Sequence, residues 1–110
     1  MKATLILAAA LAATSASAEF LTGNELLERI NAEASYDRGI ALGYIMGAFD
    51  AGQGTTHCAP ANVTAGQVRD MVRNVLTSAP AARHHSADSF VSYALMEAWP
   101  CKKRERGSSL

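Results

Sequence analysis

The stretch Thr64-Ala65-Gly66-Gln67-Val68-Arg69-Asp70-Met71-Val72-Arg73-Asn74-Val75-Leu76 decides the fold class. Thr64 and Gln67 stand at the spacing of a capping box, in which each side chain satisfies a backbone N–H that the first helical turn leaves free. Val63, just upstream, is placed to staple onto Val68. Val68, Met71, Val72, Val75 and Leu76 recur at the intervals of one helix face, and Arg69, Asp70, Arg73 and Asn74 fall outside it. Ser78-Ala79-Pro80 ends the segment.

The same grammar repeats on both sides. Upstream, Thr22 and Glu25 form a second capping box, Leu21 can staple onto Leu26, and Leu26, Leu27, Ile30 and Ala34 make a stripe. A helix is then expected from about Tyr36 to Ala51, with Asp37 in its positive first turn and Ile40, Tyr44 and Ala51 on its apolar face. Gly39, Gly43 and Gly47 recur every four residues on one side of it. An interior helical glycine costs up to about 1 kcal/mol relative to alanine. The regular spacing therefore predicts close approach of another helix, from this chain or from a second copy. Gly52-Gln53-Gly54-Thr55-Thr56 breaks the helix. Downstream, Ser86 is a candidate N-cap for a helix reaching Ala98. Phe90, Val91, Ala94, Leu95 and Ala98 form its main face, and Tyr93, Met96 and Trp99 carry apolar surface nearly all round. No segment alternates long enough to predict a strand. The expected fold is all-α, a compact bundle of about four helices closed by one disulfide.

Not all of the chain belongs to that bundle. Met1-Lys2 is a short basic start, Ala3 to Ala13 an apolar run, and Ala16-Ser17-Ala18 a small-residue cleavage site. Residues 1–18 thus read as a cleaved export signal of bacterial type, which predicts a periplasmic product. The run is too short to span a bilayer, and Asp50 interrupts the other apolar stretch, so no membrane insertion is expected. Cleavage after residue 18 of the 110 leaves 92, one small domain whose chain buries only about 60% of its unfolded surface. Apolar residues at 49% and charged residues at 18% exclude a disordered chain. Residues 19–101 carry five Lys and Arg against nine Asp and Glu, and the basic stretch Lys102-Lys103-Arg104-Glu105-Arg106 offsets most of that excess. The domain is expected over 19–101 and a disordered basic tail over 102–110. The near-zero balance predicts no nucleic-acid partner.

Two cysteines, Cys58 and Cys101, allow one intramolecular pairing. In an oxidising compartment a disulfide is the favoured reading; a metal site with His57, or a reactive thiol, are the alternatives. The histidine spacing matches no zinc pattern. Catalytic chemistry is sparse. Ser86 and Ser89 neighbour His84 and His85 without a nucleophile motif, and Asp50 with Glu97 is the best available carboxylate pair. Asp50 reads better as a capping or hydrogen-bonding residue. The adjacent His84 and His85 are expected to point apart, as a pH-sensitive surface at most. No phosphate loop, metal-binding helix or aromatic platform is present, so no cofactor is implied and a binding role is expected rather than an enzyme.

Several strings carry a resemblance. Leu42-Gly43-Tyr44-Ile45-Met46-Gly47-Ala48-Phe49-Asp50 is followed by Cys58-Ala59-Pro60, by Val63-Thr64-Ala65-Gly66-Gln67, by Ala94-Leu95 and by Trp99-Pro100-Cys101. In this order they resemble the Rap/Tai-type immunity proteins of type VI secretion, over nearly the whole expected mature chain. The resemblance implies a periplasmic helical protein, active as a homodimer. It would bind a peptidoglycan amidase effector and cover its active-site cleft without doing chemistry itself. It supports Cys58 and Cys101 as the disulfide and Gly43, Tyr44, Gly47 and Asp50 as a scaffold helix. It names no partner contacts; the outward face of the third helix, Arg69 and Arg73, with the loop from Ala79 to His85 including His84, is the expected plug. A periplasmic acid-stress chaperone, similar in size and architecture, is the competing expectation.

Overall fold

The computed structural model describes residues 20–102; the expected signal segment 1–18 and the tail beyond Lys102 lie outside them. Four helices follow in order: α1 (Gly23–Ile30), α2 (Ser35–Gly52), α3 (Ala65–Thr77) and α4 (Ala87–Ala98), with a short 3-10 turn at Pro80–Ala82. Every helix touches the other three, and no strand occurs among the described residues. The core is Leu26 and Ile30 from α1, Ala41 and Ile45 from α2, Val68, Val72 and Leu76 from α3, and Ala87, Val91, Ala94 and Leu95 from α4. The chain is all-α, a four-helix globule closed by a Cys58–Cys101 disulfide.

Both expected capping boxes form. The Thr22 and Thr64 side chains accept from the backbone of Glu25 and Gln67, whose own side chains accept from the Thr22 and Thr64 backbone N–H groups. The stripe Val68, Val72, Leu76 is buried as read, with Met71 and Val75 packed at its edge.

Two expectations need correction and one is narrowed. First, α1 stops at Ile30, and Ala34 is not part of its stripe but the exposed N-cap of α2. Arg38 reaches back from α2 and donates from Nη1 to the carbonyls of Ala32 and Glu33 at 3.0 and 2.6 Å, while Arg29 pairs with Asp37 at 3.0 Å. These contacts hold the chain reversal between the helices. Second, α2 buries Ala41 and Ile45, not the Ile40–Tyr44–Ala51 face; Ile40 and Tyr44 are half-buried and Ala51 is exposed. Alanine, leucine, isoleucine and methionine surround α2 on most sides, so its periodicity does not select a face. Third, of the two expected sources of close approach to the glycine row, no helix among the described residues supplies one, which leaves a second copy as the expected source. Gly39, Gly43 and Gly47 are exposed, and a Cβ built on each would meet nothing within 4 Å.

Within the described residues, close approach to a glycine occurs at a different position. Gly23, the first residue of α1, is buried, and a Cβ there would stand 2.9 Å from Phe90 Cε2, 3.0 Å from the Arg83 carbonyl oxygen and 3.1 Å from Leu76 Cδ2. The bare backbone lets α1 start against the α3–α4 connection. There the Gly23 and Asn24 N–H groups donate to the carbonyls of His85 and Arg83, and the Ala87 N–H donates to the Leu21 carbonyl. The starts of α1 and α4 therefore cap each other through backbone. Ser86 occupies the expected N-cap position, but its side chain makes no cap hydrogen bond.

Candidate functional site

α2 breaks at Gly52 because its carbonyl is the hub of a tight turn. It accepts from the N–H groups of Thr55, Thr56 and His57 and from the Thr55 hydroxyl. Gln53 clamps the next stretch with two bonds to Ala59, donating from Nε2 to the carbonyl at 2.9 Å and accepting at Oε1 from the N–H at 3.0 Å. The disulfide and the Cys58 N–H, which donates to the Trp99 carbonyl at 2.8 Å, tie this loop to the end of α4.

His57 sits inside that cage. It is buried, packs its ring 4.9 Å from that of Phe49, and lies against Gly52, where a Cβ would stand 3.1 Å from its Nδ1. Its Nε2 has no hydrogen-bond partner. Burial disfavours the imidazolium and pushes the His57 pKa below its usual 6.5. Sequence reading considered His57 only as a possible metal neighbour of Cys58. Its burial follows from the turn at Gly52, which the glycine-rich string Gly52-Gln53-Gly54 signalled without showing what it enclosed. Among the described residues no group of three His, Cys, Asp or Glu is placed to hold a metal ion.

Beside His57, α2 and α4 diverge and leave a hollow of about 220 Å³, lined by Ala48, Ala51, Gly52, Thr56, His57, Asp88, Ser92 and Leu95. A second hollow of about 200 Å³, lined by Phe20, Tyr44, Ser86 and Asp88, adjoins it. Asp88 belongs to both. Burial, and after it the Asp88 charge, push the Tyr44 hydroxyl above its usual pKa of 10.0.

The residues singled out from sequence fall on separate surfaces. Gly43, Gly47 and Asp50 are exposed along α2, and Tyr44 is half-buried beside Asp88. Arg69 and Arg73 both pair with Asp70 at 3.0 and 3.1 Å, and Arg73 also donates to Asn31 Oδ1. The hydrogen bond from Arg69, with the charges of both arginines, holds the Asp70 carboxyl below its ordinary range. The expected arginine face is thus a paired triad that keeps one net positive charge. His84 and His85 do not point apart: their rings pack with centroids 4.1 Å from each other, exposed before α4. Between α3 and α4, Val75, Ser78, Ala79, Ser89, Phe90 and Tyr93 line a wider apolar hollow of about 530 Å³.

None of these places assembles a nucleophile with a base and an orienting acid. What the surface offers is recognition: hollows lined by small residues, exposed aromatics and one carboxylate between two hollows. The sequence model of the Rap1a immunity proteins matches residues 22–101, which take in all four helices and both cysteines. The chain belongs to the Rap1a immunity protein family. The match begins at the α1 cap and ends at the disulfide. No curated protein matches the sequence. Membership of the Rap1a family implies a protein that binds an effector protein, and no helix among the described residues is long and apolar enough to cross a membrane.

Proposed function

We propose that this Rap1a-family protein is exported to the periplasm and neutralises a peptidoglycan amidase delivered by type VI secretion, covering its active-site cleft as a homodimer. The family match over residues 22–101 carries the reading. The export signal read in residues 1–18 and the single disulfide fit an oxidising compartment outside the cytoplasm. Inhibition of this kind needs no chemistry from the immunity protein. It needs a rigid surface that occludes a cleft, and a four-helix domain whose loop is clamped at Gln53, Cys58 and Trp99 supplies rigidity.

The test uses the product of the neighbouring reading frame, sent to the periplasm of a laboratory bacterium with and without this protein. Lysis that co-expression prevents, together with cleavage of purified peptidoglycan that the purified protein stops, is the expected result. Lysis unaffected by the protein, or a toxin with a target other than peptidoglycan, overturns the amidase reading. Sedimentation of the purified protein at micromolar concentration checks the homodimer.

A further inference from the structure

We infer that the groove between α2 and α4, centred on Asp88, is the surface that receives the effector, and that its occupant is a short segment carrying a lysine or arginine. The inference rests on the reading of the protein as an effector-binding domain. Asp88 is exposed and stands where the two hollows meet. Like Asp50 and unlike Asp37 and Asp70, it makes no ion pair among the described residues, and it lies in the first turn of α4; unlike Asp50, it lines both hollows. No lysine or arginine lines either hollow, so the carboxylate faces a site without a cation of its own.

Shape agrees with charge. From Tyr44 to Gly52, α2 runs about 12 Å along its axis, the length of about four extended residues. The walls carry small side chains, Ala48, Ala51 and Ser92, so that backbone can lie between the helices. Phe20, 74% exposed, closes the far end with an apolar surface. In the near wall, His57 holds a buried Nε2 with no hydrogen-bond partner among the described residues. An orphan polar atom of this kind is uncommon in a folded domain. The alternatives are weaker. The arginines of α3 are both engaged by Asp70, Arg73 also by Asn31, so their donors are partly used although one net positive charge remains, and the wider hollow at Tyr93 carries no charged lining to select a partner.

The probe is the product of the neighbouring reading frame, inactivated at its own catalytic centre, titrated calorimetrically into the full mature protein. Wild type is compared with Asp88→Asn, Ser92→Arg and Arg73→Glu, each first shown to melt as a folded domain. Asp88→Asn is expected to weaken binding about tenfold or more and to flatten its salt dependence. Ser92→Arg, which brings bulk and a like charge to the incoming cation, is expected to abolish binding, and it reads the groove independently of Asp88. Arg73→Glu is expected to leave the affinity within about twofold. A wild-type complex that both groove variants keep, or that Arg73→Glu alone destroys, overturns the groove assignment and leaves the immunity reading standing. Failure of the wild type to bind overturns the immunity reading, and the groove assignment with it.

Discussion

At the residue scale, two glycines exchange the roles that their sequence contexts suggest. Gly43 sits in a regular row, yet it faces open space; Gly23 belongs to no pattern, yet three atoms stand within about 3.1 Å of where its Cβ would be. Gly23→Ala must therefore push Phe90 and Leu76 aside or move the Arg83 carbonyl, and overpacking of this kind costs about 1–3 kcal/mol. Gly43→Ala relieves a helix interior of backbone freedom without a clash and is expected to stabilise the monomer by up to about 1 kcal/mol. Urea denaturation of both variants checks the pair. His57 supplies the pH-dependent term. Its folded pKa lies below the unfolded 6.5, so both states are neutral above that value and its contribution is complete there. As pH falls below about 6.5 the unfolded state takes up a proton that the buried ring refuses, and stability declines until the folded pKa is reached. Melting temperatures are expected to drop between about pH 7 and pH 5, and His57→Gln is expected to remove that part of the slope.

At the scale of the helices, the capping boxes are the elements most directly written in sequence. Thr64→Ala removes the acceptor for the Gln67 N–H and is expected to destabilise the protein by about 1 kcal/mol, measurable by thermal melting. Arg38→Ala frees the carbonyls of Ala32 and Glu33 at the α1–α2 reversal, but these are exposed to water, so a smaller loss of roughly 0.5 kcal/mol is expected. The contrast explains what was legible. α1 and α3 announce themselves because cap, staple and stripe agree over a few adjacent residues. The buried side of α2 is hidden because its apolar residues encircle it, and only the neighbours choose between Ala41–Ile45 and Ile40–Tyr44. The mutual capping of α1 and α4 is invisible for another reason: it joins backbone groups more than sixty positions apart, Gly23 to His85 and Ala87 to Leu21, and carries no side-chain signature. The groove at Asp88 has the same origin, since Tyr44, His57 and Ser92 come together only once the helices diverge.

At the scale of the whole molecule, the disulfide decides where this fold can exist. It closes a loop of 43 residues between the middle of the α2–α3 connection and the end of α4. Loop entropy alone makes that worth about 4 kcal/mol, against about 5–15 kcal/mol for an entire small domain. The core it supports consists, among the described residues, of eleven buried apolar side chains, three of them alanine. Non-covalent ties at the same place, the Gln53–Ala59 clamp and the Cys58 N–H to Trp99 carbonyl bond, are local or single and do not replace a covalent closure of that length. Cys58→Ala with Cys101→Ala is therefore expected to lose about 3–5 kcal/mol in urea denaturation. The loss is expected to appear as a lower midpoint with a somewhat steeper slope, since the unfolded chain without the bridge is less compact and exposes more surface. A loss below about 1 kcal/mol would mean that the helices hold together without the bridge, and that the oxidising compartment is not what stabilises the fold. The larger loss would make reduced protein marginal at growth temperature, so that the chain becomes a competent binding domain only once Cys58 and Cys101 are oxidised.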